Sequence, residues 1–287
     1  MRLGVETGGT KILARLVGDD SETLADGRWP TTTPEAAAEA IVGFVREAAP
    51  AGRALSAIGM AAFGPLLVDP AEPDHGLMLA TAKPGWSGSN LRLDLATRLG
   101  APAQVDTDVN AAALAELSIS GLPSLAYLTV GTGIGAGLAT TAGSLKGALH
   151  PEVGHIRVVR REGDAFASAC PFHPDCAEGL AAGPAVAARL AGASLDQQPE
   201  VAAIVADYVA QLAVILVLTW APHRILVGGG VGGAPGMLDQ IRAAFVRALD
   251  AYGLSSRVRE PDFIAPPTLA DAGLEGALLI AKTLETA

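Results

Sequence analysis

The chain opens with MRLGVETGGTKILARLV, residues 1–17. Met1–Val5 is an apolar run that reads as a strand, Glu6-Thr7-Gly8-Gly9-Thr10-Lys11 as a tight turn, and Ile12–Val17 as a second strand. The segment is a hairpin closed by glycines, not a strand–turn–helix. LAYLTVGTGIGAG, residues 125–137, repeats the device. A strand over Leu125–Val130 meets the glycine run Gly131-Thr132-Gly133-Ile134-Gly135-Ala136-Gly137, and another short strand follows. One device used twice points to an internal duplication. Glycine turns offer backbone N–H groups to an anion because no side chain blocks the approach. Two such turns facing each other across a cleft would hold a polyphosphate. Ordinary hairpin turns would explain the glycines. They would not explain Thr10-Lys11 and Thr132, which put hydroxyl and ammonium groups where phosphates would sit.

Outward from these hairpins, strand-like and helix-like segments alternate, which is the pattern of an α/β protein. Pro34–Ala49 reads as an amphipathic helix and Ala57–Ala62 as a strand ending at Gly64-Pro65. Ala103–Thr107 is a strand feeding Asp108-Val109-Asn110, with a helix over Ala111–Ser118. Arg224–Val227 is a strand running into Gly228-Gly229-Gly230-Val231-Gly232-Gly233. Helices are expected over Gly236–Tyr252 and Gly273–Thr283. No GxxxxGK[ST] is present, so the chain is not a P-loop protein. Gly228, Gly230 and Gly233 match GxGxxG, with Asp250 downstream. Asp250 falls inside a helical pattern, and too little chain remains for a dinucleotide fold. The run reads better as a glycine turn against the adenosine of ATP.

The 287 residues are 50% hydrophobic and 17% charged, enough core for one large or two modest domains and no room for a long disordered tail. A net charge of −10 lacks the basic footprint that nucleic acid requires. VAAIVADYVAQLAVILVLTWAP, Val201–Pro222, is the most apolar helix candidate. Its charge-free part begins at Tyr208 and is shorter than the ~20 residues that cross a bilayer, so it reads as a helix buried between layers rather than a membrane span. The opening residues show no apolar segment of signal-peptide type, and two cysteines fit a reducing cytoplasm.

Those cysteines sit in Cys170-Pro-Phe-His173-Pro-Asp-Cys176-Ala-Glu178, and His155 lies upstream in Pro151-Glu152-Val153-Gly154-His155. Two thiolates and two imidazoles suit tetrahedral Zn²⁺. Two free buried cysteines or a Cys170–Cys176 disulfide are the competing readings, the disulfide disfavoured because nothing indicates export.

Taken in order, these segments resemble the ROK family of sugar kinases, within the actin-like ATPase superfamily, and its bacterial fructokinase branch in particular. The resemblance covers nearly the whole chain. GVETGGTKI is similar to the family's first phosphate turn, although most members have Asp where this chain has Glu6. MAAFGPLLV and TAKPGWSG resemble the hexose-binding region of the branch. VDTDVNAAALAE resembles the catalytic segment, with Thr107 where most members have Asn. LTVGTGIGAG resembles the second phosphate turn, HPEVGH the ExGH sugar motif and LVGGGV the adenosine segment. His173 replaces one cysteine of the family's CxCGxxGC zinc motif, as in the fructokinase version.

The resemblance implies a two-lobed actin-like ATPase (ribonuclease H-like) fold with a zinc loop, and a cytoplasmic homodimer. The N-terminal lobe would span residues 1–107, joined by a C-terminal helix over 270–287, and the other lobe residues 108–269. It implies transfer of phosphate from ATP to D-fructose, with Asp108 as general base. Glu152, His155, Glu178, Thr107 and Trp86 would bind the sugar. Gly8, Gly9, Thr10, Lys11, Thr132, Gly133, Gly229, Gly230 and Val231 would bind ATP. Glu6 would act on Mg²⁺ through water, and His155, Cys170, His173 and Cys176 would hold a structural zinc. Asp108 could instead cap the following helix, but Asn110 is the better-placed cap. A broader ROK hexokinase acting on mannose or glucose, and a catalytically silent sugar-binding module, are the alternatives. A ROK-type repressor would need a helix-turn-helix before the first phosphate turn, which starts at residue 4.

Overall fold

The computed structural model describes residues 1–250, 252 and 254–285. The chain runs β1 (Arg2–Thr7), β2 (Lys11–Val17), β3 (Thr23–Pro30), α1 (Pro34–Ala48), β4 (Ala57–Ala62), α2 (Leu91–Leu99), β5 (Ala103–Thr107) and α3 (Asp108–Ser120). It continues β6 (Ser124–Val130), β7 (Ile134–Thr140), β8 (Gly143–Ser144), α4 (Ala177–Ala181), α5 (Gly183–Leu190) and α6 (Pro199–Trp220). The remainder is β9 (Ile225–Gly228), α7 (Gly229–Gly232), α8 (Met237–Leu249), β10 (Ile264–Ala265) and α9 (Ala272–Thr283).

Two compact units result. The first takes Met1–Ser120, Ala142–His150 and the chain from Leu269; the second takes Gly121–Thr141 and Pro151–Thr268. The expected boundary at Thr107 moves to Ser120, because α3 packs on α9 and so belongs to the first unit. Segment 142–150 joins it too, where the sequence suggested the other lobe.

The first unit's sheet has the order β3-β2-β1-β4-β5. β1 pairs antiparallel with β2 and parallel with β4, and β4 pairs parallel with β5. In the second unit β6 pairs antiparallel with β7 and parallel with β9, and β9 pairs parallel with β10. The series β2-β1-β4-β5 and β7-β6-β9-β10 are thus the same topology twice, which is the duplication the two glycine hairpins announce.

Local signals set the helices. Pro34 opens α1, and the Thr33 hydroxyl accepts the Ala36 N–H at 3.3 Å. Ala37, Ala38, Ile41, Val42 and Val45 then bury one face. α9 lies against β1 and β4 through a groove of small residues. A Cβ on Gly59 would lie 1.9 Å from Ala277 O, and one on Gly276 would lie 2.0 Å from Ala111 O, so both must be glycine. α6 is long and apolar enough to cross a membrane by length and composition. Here Val205, Tyr208, Val209, Leu212, Ala213 and Leu216 are buried in the core of the second unit, each large apolar side chain contributing about 1.5–3 kcal/mol. β3, α2 and β10 are elements the sequence reading did not anticipate.

Candidate functional site

The expected site residues divide between the units: Glu6, Gly8, Gly9, Thr10, Lys11, Trp86, Thr107 and Asp108 in the first, the rest in the second. The β1–β2 turn is tied at its base, where the Gly8 N–H donates to Lys11 O at 2.8 Å and the Thr31 hydroxyl donates to Gly8 O at 2.7 Å. Gly9 and Thr10 remain exposed. Lys83 donates to Gly9 O, so the loop Lys83-Pro84-Gly85-Trp86 reaches this turn. Trp86 itself does not present a group to a ligand. It is 1% exposed, lies edge-on to Phe63 and donates its indole N–H to Thr32 O at 2.8 Å. The expectation of a sugar-contacting Trp86 is corrected to a core anchor of the loop.

Glu6 closes β1. Burial, above all, lifts its carboxyl above the ordinary carboxylate range; Lys11 and the Leu274 N–H oppose the rise and Asp271 adds to it. A nearby divalent cation would reverse that preference, so the residue suits hydrated Mg²⁺.

The β5–α3 junction is built around Asp106, which the sequence reading missed. Its buried carboxylate accepts the Thr107 N–H at 2.8 Å and Asn110 Nδ2 at 2.8 Å through Oδ1. Through Oδ2 it accepts the Ser144 hydroxyl at 2.6 Å and Lys146 Nζ at 2.9 Å. Asp108 begins α3 two residues later, half-buried, with Oδ1 accepting the Val109 N–H at 2.9 Å. The cap is neither Asp108 nor Asn110. The Thr107 hydroxyl accepts the Asn110 N–H at 3.1 Å, which corrects both the expected cap and the expected role of Thr107, buried and engaged in the helix start.

In the second unit, β7 begins at Ile134, inside the glycine run, so the second turn is only Gly131-Thr132-Gly133. Gly131 N–H donates to Gly133 O at 2.9 Å, and Gly183 N–H, at the start of α5, donates to Gly131 O at 2.7 Å. Thr132 is exposed. Gly229 and Gly230 start α7 exposed, with Val231 buried behind them.

The four proposed zinc ligands come together. Ligand atoms of His155, Cys170, His173 and Cys176 all lie within 4.8 Å of one another. His155 Nδ1 is 3.8 Å from Cys170 Sγ and from Cys176 Sγ, and His173 Nδ1 is 3.8 Å from Cys170 Sγ. Tetrahedral zinc with its usual bond lengths requires N···S edges of roughly 3.6 Å. The set therefore fits Zn²⁺, with no open position. Burial, then the neighbouring Cys170 and Glu178, push the Cys176 thiol up to about 11 against the Gly179 N–H, so a cation is what would hold it as thiolate.

Cys176 also caps α4, accepting the Gly179 N–H at 3.4 Å, and thereby places Glu178. Glu178 Oε2 accepts the Ile134 N–H at 2.9 Å, and Oε1 lies 3.8 Å from His155 Nε2. Glu152 is exposed just before the 3₁₀ turn Val153–His155. Behind the loop, Asp164 grips Arg189 at 2.9 and 2.7 Å and accepts the Tyr208 hydroxyl at 2.5 Å. Arg189 and Tyr208 hold the Asp164 carboxyl far below its usual range, despite its burial. Neither this clamp nor Asp106 carries a local motif; each needs partners remote in sequence.

Residues 2–284 match the model of the ROK family. A fructokinase from Pediococcus pentosaceus is 36% identical over 289 residues, covering 98% of each chain. The ROK hexokinase structure from Thermus thermophilus aligns with a TM-score of 0.75 at 30% identity, over 99% of this chain and 98% of that one. A ROK family glucokinase from Streptomyces griseus, solved in complex with glucose and AMPPNP, aligns with a TM-score of 0.75 at 26% identity, over 98% and 99%.

Proposed function

The chain belongs to the ROK family and is a sugar kinase of actin-like ATPase fold, and we propose that it transfers the γ-phosphoryl group of Mg-ATP to the 6-hydroxyl of D-fructose. The observation that carries the choice of sugar is the similarity to a fructokinase over 98% of both chains. The glucokinase complex with AMPPNP supports a nucleotide triphosphate as donor.

Phosphoryl transfer asks the protein for positioning, charge neutralisation and a proton acceptor. Asp108 is the acceptor: it takes the O6 proton as O6 attacks the γ-phosphorus and the bond to the β–γ bridging oxygen breaks, leaving ADP. Asp106 fixes the strand end from which Asp108 projects. The turns Gly8-Gly9-Thr10-Lys11 and Thr132-Gly133 hold the phosphates, and Gly229-Gly230-Val231 the adenosine. Glu6 would hold the Mg²⁺ that accompanies ATP through water, and that ion would neutralise phosphate charge. Glu152, His155 and Glu178 read the sugar hydroxyls. A zinc held by His155, Cys170, His173 and Cys176 would be structural, since four protein ligands would leave no place for a reacting water.

A coupled ADP-release assay across hexoses tests the reading. We expect kcat/KM for D-fructose at least ~10-fold above D-glucose, about 1.4 kcal/mol in transition-state binding. Mannose should be the secondary substrate. Glucose 6-phosphate as the main product from an equal mixture would overturn the fructose assignment alone; no ADP release with any hexose would overturn the kinase.

A further inference from the structure

One geometrical relation in the second unit is not used by that mechanism. The backbone of Ile134, the residue that follows the phosphate turn and begins β7, is gripped from two sides. On one side Gly154, next to His155, packs against its carbonyl so closely that a Cβ on Gly154 would lie 2.1 Å from Ile134 O. On the other, Glu178 Oε2 accepts its N–H at 2.9 Å. Both grips come from the zinc loop and its ligands: Gly154 adjoins His155, and Glu178 follows Cys176 on the helix that Cys176 caps.

His155 completes the connection. Its Nδ1 faces both sulfurs at 3.8 Å, so Nδ1 is the metal-facing nitrogen. A neutral imidazole ligating through Nδ1 carries its proton on Nε2, and Nε2 lies 3.8 Å from Glu178 Oε1. A ligating histidine that directs its other N–H at a carboxylate is the usual means by which an outer residue is oriented from a metal site. Here the carboxylate has a second oxygen, and that oxygen is spent on the turn.

We infer that His155 and Glu178 relay metal occupancy to the phosphate turn, so that zinc and the nucleotide bind with positive coupling even when no sugar is present. The inference rests on the reading of Gly131-Thr132-Gly133 as a phosphate turn. Coupling between two ligands is reciprocal, so it can be read from the zinc side. Zinc affinity of the full chain is measured by competition with a chromophoric chelator, without sugar, with and without saturating Mg-AMPPNP. AMPPNP should tighten zinc about 10-fold, within the range usual for two coupled binding sites. Glu178→Gln should still bind one zinc, but its affinity should no longer respond to AMPPNP. An unchanged zinc affinity in the parent protein, or an undiminished response in Glu178→Gln, overturns the relay. If Glu178→Gln does not fold, exchange of the Ile134 amide in the parent protein decides: faster exchange after zinc removal supports the relay, equal exchange overturns it. Calorimetry on the zinc-loaded parent separates the layers. Failure to bind AMPPNP at all overturns the phosphate-turn reading and the relay with it; binding without effect on zinc overturns the relay alone.

Discussion

Asp106 Oδ2 accepts Lys146 Nζ at 2.9 Å from a side chain that is 1% exposed, and Lys146 is 23% exposed. The pair fastens segment 142–150 to the strand that leads into Asp108. Lys146→Met would leave the carboxylate buried with its hydroxyl and amide partners but no cation. Removing one partner of a buried pair costs about 3–5 kcal/mol; with Lys146 partly in water we expect about 2–3 kcal/mol. Asp106→Asn/Lys146→Met should lose less than the sum of the single losses, which urea denaturation of the four proteins measures.

Asp108→Asn should lower kcat by at least ~10²-fold while calorimetry finds nucleotide and sugar binding largely retained. Because the Thr107 hydroxyl caps α3, the same variant should change stability little, whereas Thr107→Val should cost about 1 kcal/mol. Turnover of Asp108→Asn within a few-fold of the parent would place the base elsewhere.

Freshly prepared protein should carry about one zinc per chain, since four ligands complete one tetrahedral shell. Cys176→Ser removes a ligand and the cap of α4 together. Zinc content by elemental analysis and melting temperature should fall in parallel, and a variant that kept its zinc would exclude Cys176 from the shell.

Asp164 and Arg189 have side chains 5% and 6% exposed. Asp164→Asn should therefore cost about 3–5 kcal/mol at neutral pH by leaving the guanidinium uncompensated. The folded carboxyl titrates below its ordinary value of 3.8, so the unfolded chain takes up its proton first as pH falls. The parent's advantage over Asp164→Asn should be full above about pH 5 and shrink below about pH 4. A difference independent of pH across that window would show that the charge of Asp164 contributes nothing.

Much of this arrangement is legible along the chain, and the parts that are not have a common cause. β1, β4 and β6 are largely apolar runs closed within two residues by glycine or polar residues, and they read as strands at once. β3, TLADGRWP, is an edge strand with an exposed face and a glycine, so its pattern lacks the apolar signal of the inner strands. α2 did carry punctuation, with Asn90 accepting the Leu93 N–H and Gly100 ending the helix at φ +64°. Only Leu91 and Leu95 are buried, too few to show a face. The cluster of His155, Cys170, His173 and Cys176 is readable because cysteine and histidine are scarce here and closely spaced. Asp106 and Glu178 were not, in their structural roles, because Lys146 and Ile134 reach them from distant segments. Trp86 misled for the opposite reason: an aromatic beside a sugar-region motif was read by its neighbours, while its indole is spent on Thr32 O.

The seat of α9 on β1 and β4 has a consequence for synthesis. Residues 272–283 fill the groove that Gly59 opens, so the sheet of residues 1–120 waits for a segment translated after the whole of the second unit before it is covered. Pro151–Thr268, by contrast, emerges as one stretch and needs only the β6–β7 hairpin already made. The second unit should therefore be complete while the first still exposes an apolar sheet face to chaperones and proteases. Slowing translation across the codons for residues 250–283 should lengthen that exposure, and supplying α9 as a separate peptide should shorten it.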